Sequence, residues 1–386
     1  MSVESSSHRL VRAAVLRELG APLSIEEVFL APPREREVLV RIVAAGVCHS
    51  DLHLVDGEMG LDRVPCVPGH EGAGIVERLG KGVRHLAPGD HVALSFIPAC
   101  GECSYCRAGR GNLCTAASVS SFRDCLLDGT TRLALRDGTP VRQFLAVGCF
   151  AERCVVPAES AVPIPSTLPL WQAALVGCAV VTGVGAVRNA AAVRSGQSVC
   201  VVGCGGVGLQ VIAAAALAGA DPIVAVDRVP EKLERALARG ATHAVDATLE
   251  RPARAVRELA DGGVDFAFEV VGRQESIRLA WDALRPGGTA VVVGLAPRGV
   301  DAAVPAIDLL SEKTLRGSFY GSGNPAEEIA QLALLVAENR FDVASTVSDL
   351  TDLAGINAAF ERMRRGEGAR TVAILDPDLA GIEFPG

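Results

Sequence analysis

Apolar positions along this chain follow two regimes. Up to about Pro157 they come as short runs separated by turns rich in Gly and Pro, the signature of strands. Val11–Leu16 and Glu37–Ala45 read as strands on either side of Ala31-Pro32-Pro33. Ile75–Leu79, the run after Gly89-Asp90 and Cys149–Pro157 continue the series. Thr115–Gly148 is a long mixed segment with tight turns at Asp128-Gly129 and Asp137-Gly138. Leu168–Asn189 has a helical pattern, but Gly177-Cys178 and Thr182-Gly183 predict a break into two helical pieces. From Ser195 the regime changes. Gln197–Val202 is a continuous apolar run suited to a strand buried on both faces. Helix Val207–Leu217, strand Pro222–Val226, helix Glu231–Arg239, the short strand Ala244-Val245, helix Arg254–Ala260, strand Val264–Glu269, helix Glu275–Leu284 and strand Thr289–Gly294 follow. The alternation runs to about Phe319, after which come helix Ala326–Glu338 and strand Arg370–Leu375. Strand and helix in turn predict an α/β fold with a parallel sheet.

Composition adds limits. A chain of 386 residues is long for one core, so two domains are expected. With 49% hydrophobic, 21% charged and only 4% aromatic residues, packing falls to Ala, Val, Leu and Gly. A net charge of −8 speaks against a nucleic-acid or anionic-membrane surface. Leu170–Val187 is uncharged and long enough to raise a transmembrane reading. Gln172, Gly177, Thr182, Gly183 and Gly185 dilute its apolarity, and it reads as a buried helix. Met1–Arg9 is polar and lacks the apolar core of a signal peptide, so a cytoplasmic location is the expectation. The 12 cysteines then read as metal ligands and buried thiols rather than disulfides.

Three stretches carry chemistry. Cys48-His49-Ser50-Asp51-Leu52-His53 gathers a thiol, a hydroxyl, a carboxylate and two imidazoles at the end of a strand, where a turn or loop would present them. Thiolate and imidazole suit zinc, and hydroxyl and imidazole suit proton transfer; a polar loop with one buried cysteine is the plain alternative. His70-Glu71, set among glycines, is a possible partner. Cys100, Cys103, Cys106 and Cys114 follow C-x2-C-x2-C-x7-C, a closed thiolate set for structural zinc. An iron–sulfur cluster competes, but the fourth spacing and the lack of a following Pro favour zinc. Gly203-Cys204-Gly205-Gly206-Val207-Gly208 opens a helix after a strand, and the next strand ends in Asp227. That order is a dinucleotide fingerprint, with the pyrophosphate on the helix N-terminus. Asp227 would accept from ribose hydroxyls and repel a 2′-phosphate, which predicts NAD over NADP. A second zinc with an open position would complete a hydride-transfer site, because zinc lowers the pKa of bound water to about 7. Cys48 and His70 are natural ligands for it. Spacing leaves the third open among Cys66, Cys125, Cys149, Cys154, Cys178, Cys200, Cys204 and Glu71.

The set Cys48–His53, Gly69–Gly74, the Cys100–Cys114 lobe, Val176-Gly177-Cys178, Gly203–Gly208 and Gly366–Thr371 resembles the zinc-dependent medium-chain dehydrogenase/reductase family, alcohol dehydrogenases of the dimeric liver-type branch. The resemblance covers nearly the whole chain. It implies a Rossmann doubly wound parallel sheet (180–319) inserted into a GroES-like β-rich catalytic domain (1–179 with 320–386, structural zinc lobe about 96–115). The active site would lie in the cleft between them, with homodimers forming through the Rossmann sheet. Two zincs per chain are implied. Cys48, His70 and Cys178 would bind the catalytic one, with Glu71 close behind and Asp51 holding the His70 ring. Ser50 would take the alcohol proton and pass it through the cofactor ribose to His53. Thr182 would contact the nicotinamide, Lys232 would assist Asp227, and Arg370 would approach the pyrophosphate, as His49 would where many relatives carry Arg.

A neutral His49 should bind NAD less tightly at pH 7 than in mild acid. Met59, Phe96, Phe144, Leu145 and Leu295 would line an apolar channel for medium-chain or aromatic primary alcohols and aldehydes. Uncharged Met59 and Ser118 disfavour a thiol-adduct formaldehyde dehydrogenase. A nicotinoprotein that keeps NAD bound is the nearer alternative. A zinc-dependent binding or regulatory protein with a vestigial nucleotide site is the reading from another class.

Overall fold

The computed structural model describes residues 8–59, 63–380 and 382. The chain forms two units, Met1–Cys178 with Asn324–Gly386, and Ala179–Gly323. The sequence reading put these boundaries at 179 and 320. The turn Tyr320–Ser322 belongs to the second unit, because Gly321 lies so close to Val181 that a Cβ there would meet its carbonyl oxygen at 2.3 Å.

The first unit is built on the strand Glu37–Val47, almost entirely buried. It pairs antiparallel with Glu71–Leu79, with Arg153–Pro157 and with Arg370–Ile374 from the C-terminal tail. Thr371 faces Val47 and Ile374 faces Ala44. The tail therefore completes a sheet begun more than 300 residues earlier. The strand read as starting at Cys149 starts at Arg153. Cys149 and Phe150 instead donate backbone hydrogen bonds to Gly69 and Pro68, tying that loop to the His70 turn.

The second unit carries six parallel strands in the order His243–Asp246, Ile223–Asp227, Val199–Val202, Val264–Glu269, Leu284–Val292, Thr314–Gly317. The order reverses between Val199–Val202 and Val264–Glu269, and ligands of such sheets bind outside the carboxyl ends at that point. Its core packs Val202, Val224, Val226, Val256, Trp281 and Leu284.

Leu170–Ala191 is one 22-residue helix rather than two pieces. It passes through π-turns at Val176–Val180 and Ala186–Ala191. Its glycines serve close packing instead of breaking it: a Cβ on Gly177 would stand 2.3 Å from the Leu94 carbonyl oxygen. It is the one described helix long and apolar enough to cross a membrane, and 83% of its most apolar window is buried inside the protein.

Candidate active site and metal centres

The strand Glu37–Val47 runs into helix His49–Val55 through Cys48, which is the N-cap. The sequence reading placed these residues in a turn or loop; they are the first turns of a helix. The reason is Asp51. An acidic group in the first turn suits a helix N-terminus, and its Oδ2 accepts the Cys48 N–H at 3.2 Å. Its Oδ1 accepts the Gly69 N–H at 2.9 Å and lies 3.1 Å from His70 Nδ1. Asp51 is wholly buried. One carboxylate thus caps the helix, fixes the next loop and takes one nitrogen of the His70 ring, leaving Nε2 to meet Cys48. Gly69 has φ +92°, and a Cβ there would lie 2.6 Å from the Phe150 nitrogen, so glycine is required for the loop to pass.

Cys178 comes from the first π-turn, an irregularity often found at functional positions. Ligand atoms of Cys48, His70, Glu71 and Cys178 all lie within 4.8 Å of one another, and all four residues are buried. Cys66, Cys125, Cys149, Cys154, Cys200 and Cys204, which spacing left open, are not among them. Burial pushes their thiols up, Cys200 to about 12. Cys48 goes the other way: a hydrogen bond from Cys178 and then His70 outweigh burial and hold it well below an ordinary thiol. Burial disfavours a charged His70, yet Asp51 and Cys48 hold its pKa up at about 10.

Arg370 has a partner that the sequence reading did not name. The sequence reading aimed it at a pyrophosphate. The structure buries it and pairs its Nη2 with Glu71 Oε2. A cationic side chain beside two thiols and a carboxyl lowers the cost of burying negative charge. The other Glu71 oxygen, Oε1, is buried with no hydrogen-bond partner. Two sulfurs, one imidazole nitrogen and an orphaned carboxylate oxygen fit a zinc ion with ligand capacity to spare.

Cys100, Cys103, Cys106 and Cys114 bring their sulfurs together in the same way. Backbone N–H groups point at them: Cys100 N at Cys114 Sγ (3.3 Å), Cys103 N at Cys100 Sγ (3.4 Å) and Cys106 N at Cys103 Sγ (3.5 Å). Such donors favour thiolates, and Cys103 falls to about 6 through the Cys106 and Thr115 amides. Burial and the neighbouring Cys103 push Cys106 up to about 12. Crowded thiols of this kind share charge unequally until a cation joins them. All 12 cysteines are free thiols in the structure.

In the second unit the glycine turn divides its labour. Gly203 has φ +97°, a conformation that favours glycine. Gly208 lets helix Gly206–Leu217 press on the turn, since a Cβ there would fall 1.9 Å from the Gly203 carbonyl oxygen. A Cβ on Gly205 would meet nothing within 4 Å, and Gly206 and Val207 are half-buried beside it. The closed and open sides match a backbone that receives a pyrophosphate. Asp227 accepts the Cys204 N–H at 2.8 Å and the Val229 N–H at 3.0 Å, fixing the turn before any ligand arrives. Glu269, which the sequence reading passed over, is wholly buried at the end of its strand. Its Oε1 accepts from Val271, Gly272 and Ser276. Only a lone acid closing a strand signalled it. Thr182 and Lys232 are half-buried in this unit.

Comparison with known proteins gives the family. Residues 34–166 match the family described as the alcohol dehydrogenase GroES-like domain, and residues 206–338 match the zinc-binding dehydrogenase family. The chain is 40% identical to the NDMA-dependent alcohol dehydrogenase of Amycolatopsis methanolica over 95% of its length and 99% of that protein. The chain belongs to the zinc-binding alcohol dehydrogenase family. Among solved structures, the alcohol dehydrogenase zinc-binding domain protein from Burkholderia ambifaria is 39% identical with a TM-score of 0.90, covering 96% of this chain and 100% of that one. Benzyl alcohol dehydrogenase from Acinetobacter calcoaceticus is 33% identical with a TM-score of 0.89, covering 95% and 99%. This dehydrogenase is accordingly an oxidoreductase of zinc and nucleotide-cofactor type.

Of the remaining predicted residues of the dehydrogenase, Ser50, Phe96 and Phe144 reach the first cluster. Ser50 Oγ is 3.9 Å from Cys48 Sγ. His49 is exposed, its ring 6.3 Å from that of His53. Phe96 and Phe144 are buried and set their rings edge-on to His70 at 5.5 and 5.7 Å. Leu145, beside them in sequence, is buried with φ +52°. Met59 is half-buried, and Leu295 lies in the second unit, 46% exposed.

Proposed function

We propose that this alcohol dehydrogenase uses NAD and two zinc ions to interconvert primary alcohols and aldehydes of medium-chain or aromatic type. The observation that carries the reading is the buried set Cys48, His70, Glu71 and Cys178 with converging ligand atoms. Zinc held by Cys48, His70 and Cys178 would supply a Lewis acid that lowers the pKa of a bound alcohol. Asp51 keeps the His70 ring turned to that place. Ser50, at its edge, would take the alcohol proton, and His53 would receive it by way of a ribose hydroxyl that the bound cofactor would supply. Cys100, Cys103, Cys106 and Cys114 would hold the structural ion. Gly203–Gly208 and Asp227 bind the dinucleotide, with Lys232 at the ribose, Thr182 at the nicotinamide and His49 at the pyrophosphate. Asp227, an acid at the ribose position, supports NAD over NADP. The aromatic walls Phe96 and Phe144, and the likeness to a benzyl alcohol dehydrogenase, support aromatic substrates. Homodimers would extend the parallel sheet through its edge strand Thr314–Gly317, beside which Ile307 and Leu310 are 70% and 80% exposed.

A relative whose name ties it to NDMA supports a second reading, in which NAD stays bound and a second carbonyl compound recycles it. Metal analysis together with dialysis tests both. The proposal expects two zincs per chain and NADH absorbance on adding benzyl alcohol and free NAD. Activity that survives dialysis, needs no added NAD and gives no free NADH would establish the second reading. One zinc per chain, lost in a Cys103→Ala variant, would end the claim of a catalytic metal.

A further inference from the structure

The turn after helix His49–Val55 carries a charged group that the ligand set does not use. Glu58 lies five residues beyond His53 and clasps it twice. The Glu58 backbone N–H donates to the His53 carbonyl oxygen at 2.9 Å. The Glu58 carboxylate oxygen Oε2 pairs with His53 Nδ1. The His53 side chain is 17% exposed and that of Glu58 43%, so the ring is sheltered while the carboxylate meets water. Asp56, between the two, does not compete for the ring, because it pairs with Arg364 from helix Ile356–Arg364. Among the described residues, His49 on the same helix sets its ring 6.3 Å from that of His53, Glu58 pairs with it from the following turn, and Asp56 and Arg364 pair with each other.

We infer that Glu58 is a positioning residue for the proton relay, holding the Nδ1–H of His53 so that Nε2 is the nitrogen left to accept a proton. The inference rests on the relay from Ser50 to His53 proposed above. A neutral imidazole carries its proton on one nitrogen only, and the partner of the other nitrogen decides which. With a carboxylate at Nδ1, the proton stays there and Nε2 is basic. The transfer then balances. The alcohol O–H breaks as Ser50 Oγ gains that proton and gives up its own, which a hydroxyl of the bound cofactor would relay toward His53. An Nε2–H bond forms at His53, Nδ1–H is kept, and the ring gains one positive charge beside the Glu58 carboxylate. Loss of the Nε2 proton to water resets the ring.

The test uses the zinc- and NAD-loaded enzyme, with the pH dependence of alcohol oxidation measured for wild type, Glu58→Gln, His53→Ala and the double variant. Glu58 is exposed enough that the amide should not disturb folding, which melting curves check. In Glu58→Gln kcat should fall about threefold or more across the profile, because the accepting nitrogen is no longer held in place. KM for the alcohol should not change, and the substitution should add nothing in the His53→Ala background. Nitrogen NMR of the rings should show a His53 Nδ1–H form in wild type that is depleted in Glu58→Gln. A Glu58→Gln profile lying on that of wild type, while His53→Ala alters it, would overturn the role of Glu58 and leave the relay standing. A His53→Ala profile identical to wild type would remove the relay, and this inference with it.

Discussion

Asp51 shows how one side chain can couple folding to chemistry. Its oxygens cap a helix, hold a loop glycine and orient His70. Asp51→Asn keeps the shape but removes the charge and half the acceptors. Zinc affinity at the Cys48 site and activity should both fall about 10–100-fold, as for other residues that orient metal ligands. A chelator-competition titration alongside turnover measures this. A second buried charge cluster is structural. Arg132 has no exposed side chain and pairs with Glu37, through Nε at 2.9 Å, and with Asp128 at 2.6 Å. Arg132→Ala should cost about 3–5 kcal/mol in chemical denaturation, since it strands a buried carboxylate. Burial works against a charged Asp128, but the Thr130 hydroxyl and Arg132 hold its carboxyl below the usual range. A depressed folded pKa gives stability that is full above the unfolded value, about 3.9, and is lost as pH falls below it. The melting temperature of wild type should therefore drop more steeply below about pH 4 than that of Asp128→Asn, as read by calorimetry.

At the scale of elements, the glycine turn gives the sharpest contrast. Gly208→Ala would drive a methyl to 1.9 Å from the Gly203 carbonyl oxygen. It should lower stability by about 1–3 kcal/mol and impair cofactor binding with it. Gly205→Ala meets no protein atom within 4 Å, and its φ of −78° suits alanine. That variant should melt like wild type yet bind NAD about tenfold or more weakly, because the methyl would stand where the pyrophosphate is proposed to bind. Melting curves and a fluorescence titration separate the two outcomes. The same scale shows where local reading stopped short. Glycines in Leu168–Asn189 looked like breaks, but they are the positions where a continuous helix meets backbone, as Gly177 meets Leu94. Helix His49–Val55 was missed because its start depends on Asp51 being buried against Gly69 and His70, contacts distant in sequence.

At the scale of the whole molecule, the tail strand Arg370–Ile374 closes the sheet of the first unit and brings Arg370 to Glu71 across an interval of 299 residues. Ile307, Leu309 and Leu310 are exposed beside the edge strand Thr314–Gly317, through which the homodimer is proposed to form. Leu310→Glu should shift sedimentation from dimer to monomer at micromolar concentration while leaving the zinc content of each chain unchanged.

The sequence by itself determined what depends on order and spacing. The cysteine lobe, the strand–glycine–helix–strand–acid series and the alternation of the second unit are local patterns, and their residues fold next to their neighbours in the chain. It also named Cys48 and His70 as ligands, because thiol and imidazole sit at the ends of readable strands. What it left open among seven cysteines and Glu71, apart from its family resemblance, was decided only in three dimensions. Cys178 and Glu71 join Cys48 and His70 because a π-turn, a sheet pairing and a buried carboxylate bring them within 4.8 Å. The pairing of Arg370 with Glu71 and the clasp of Glu58 on His53 arise in the same way. Side-chain chemistry is written in the chain, but which groups share a low-dielectric space is set by packing between segments that no local pattern relates.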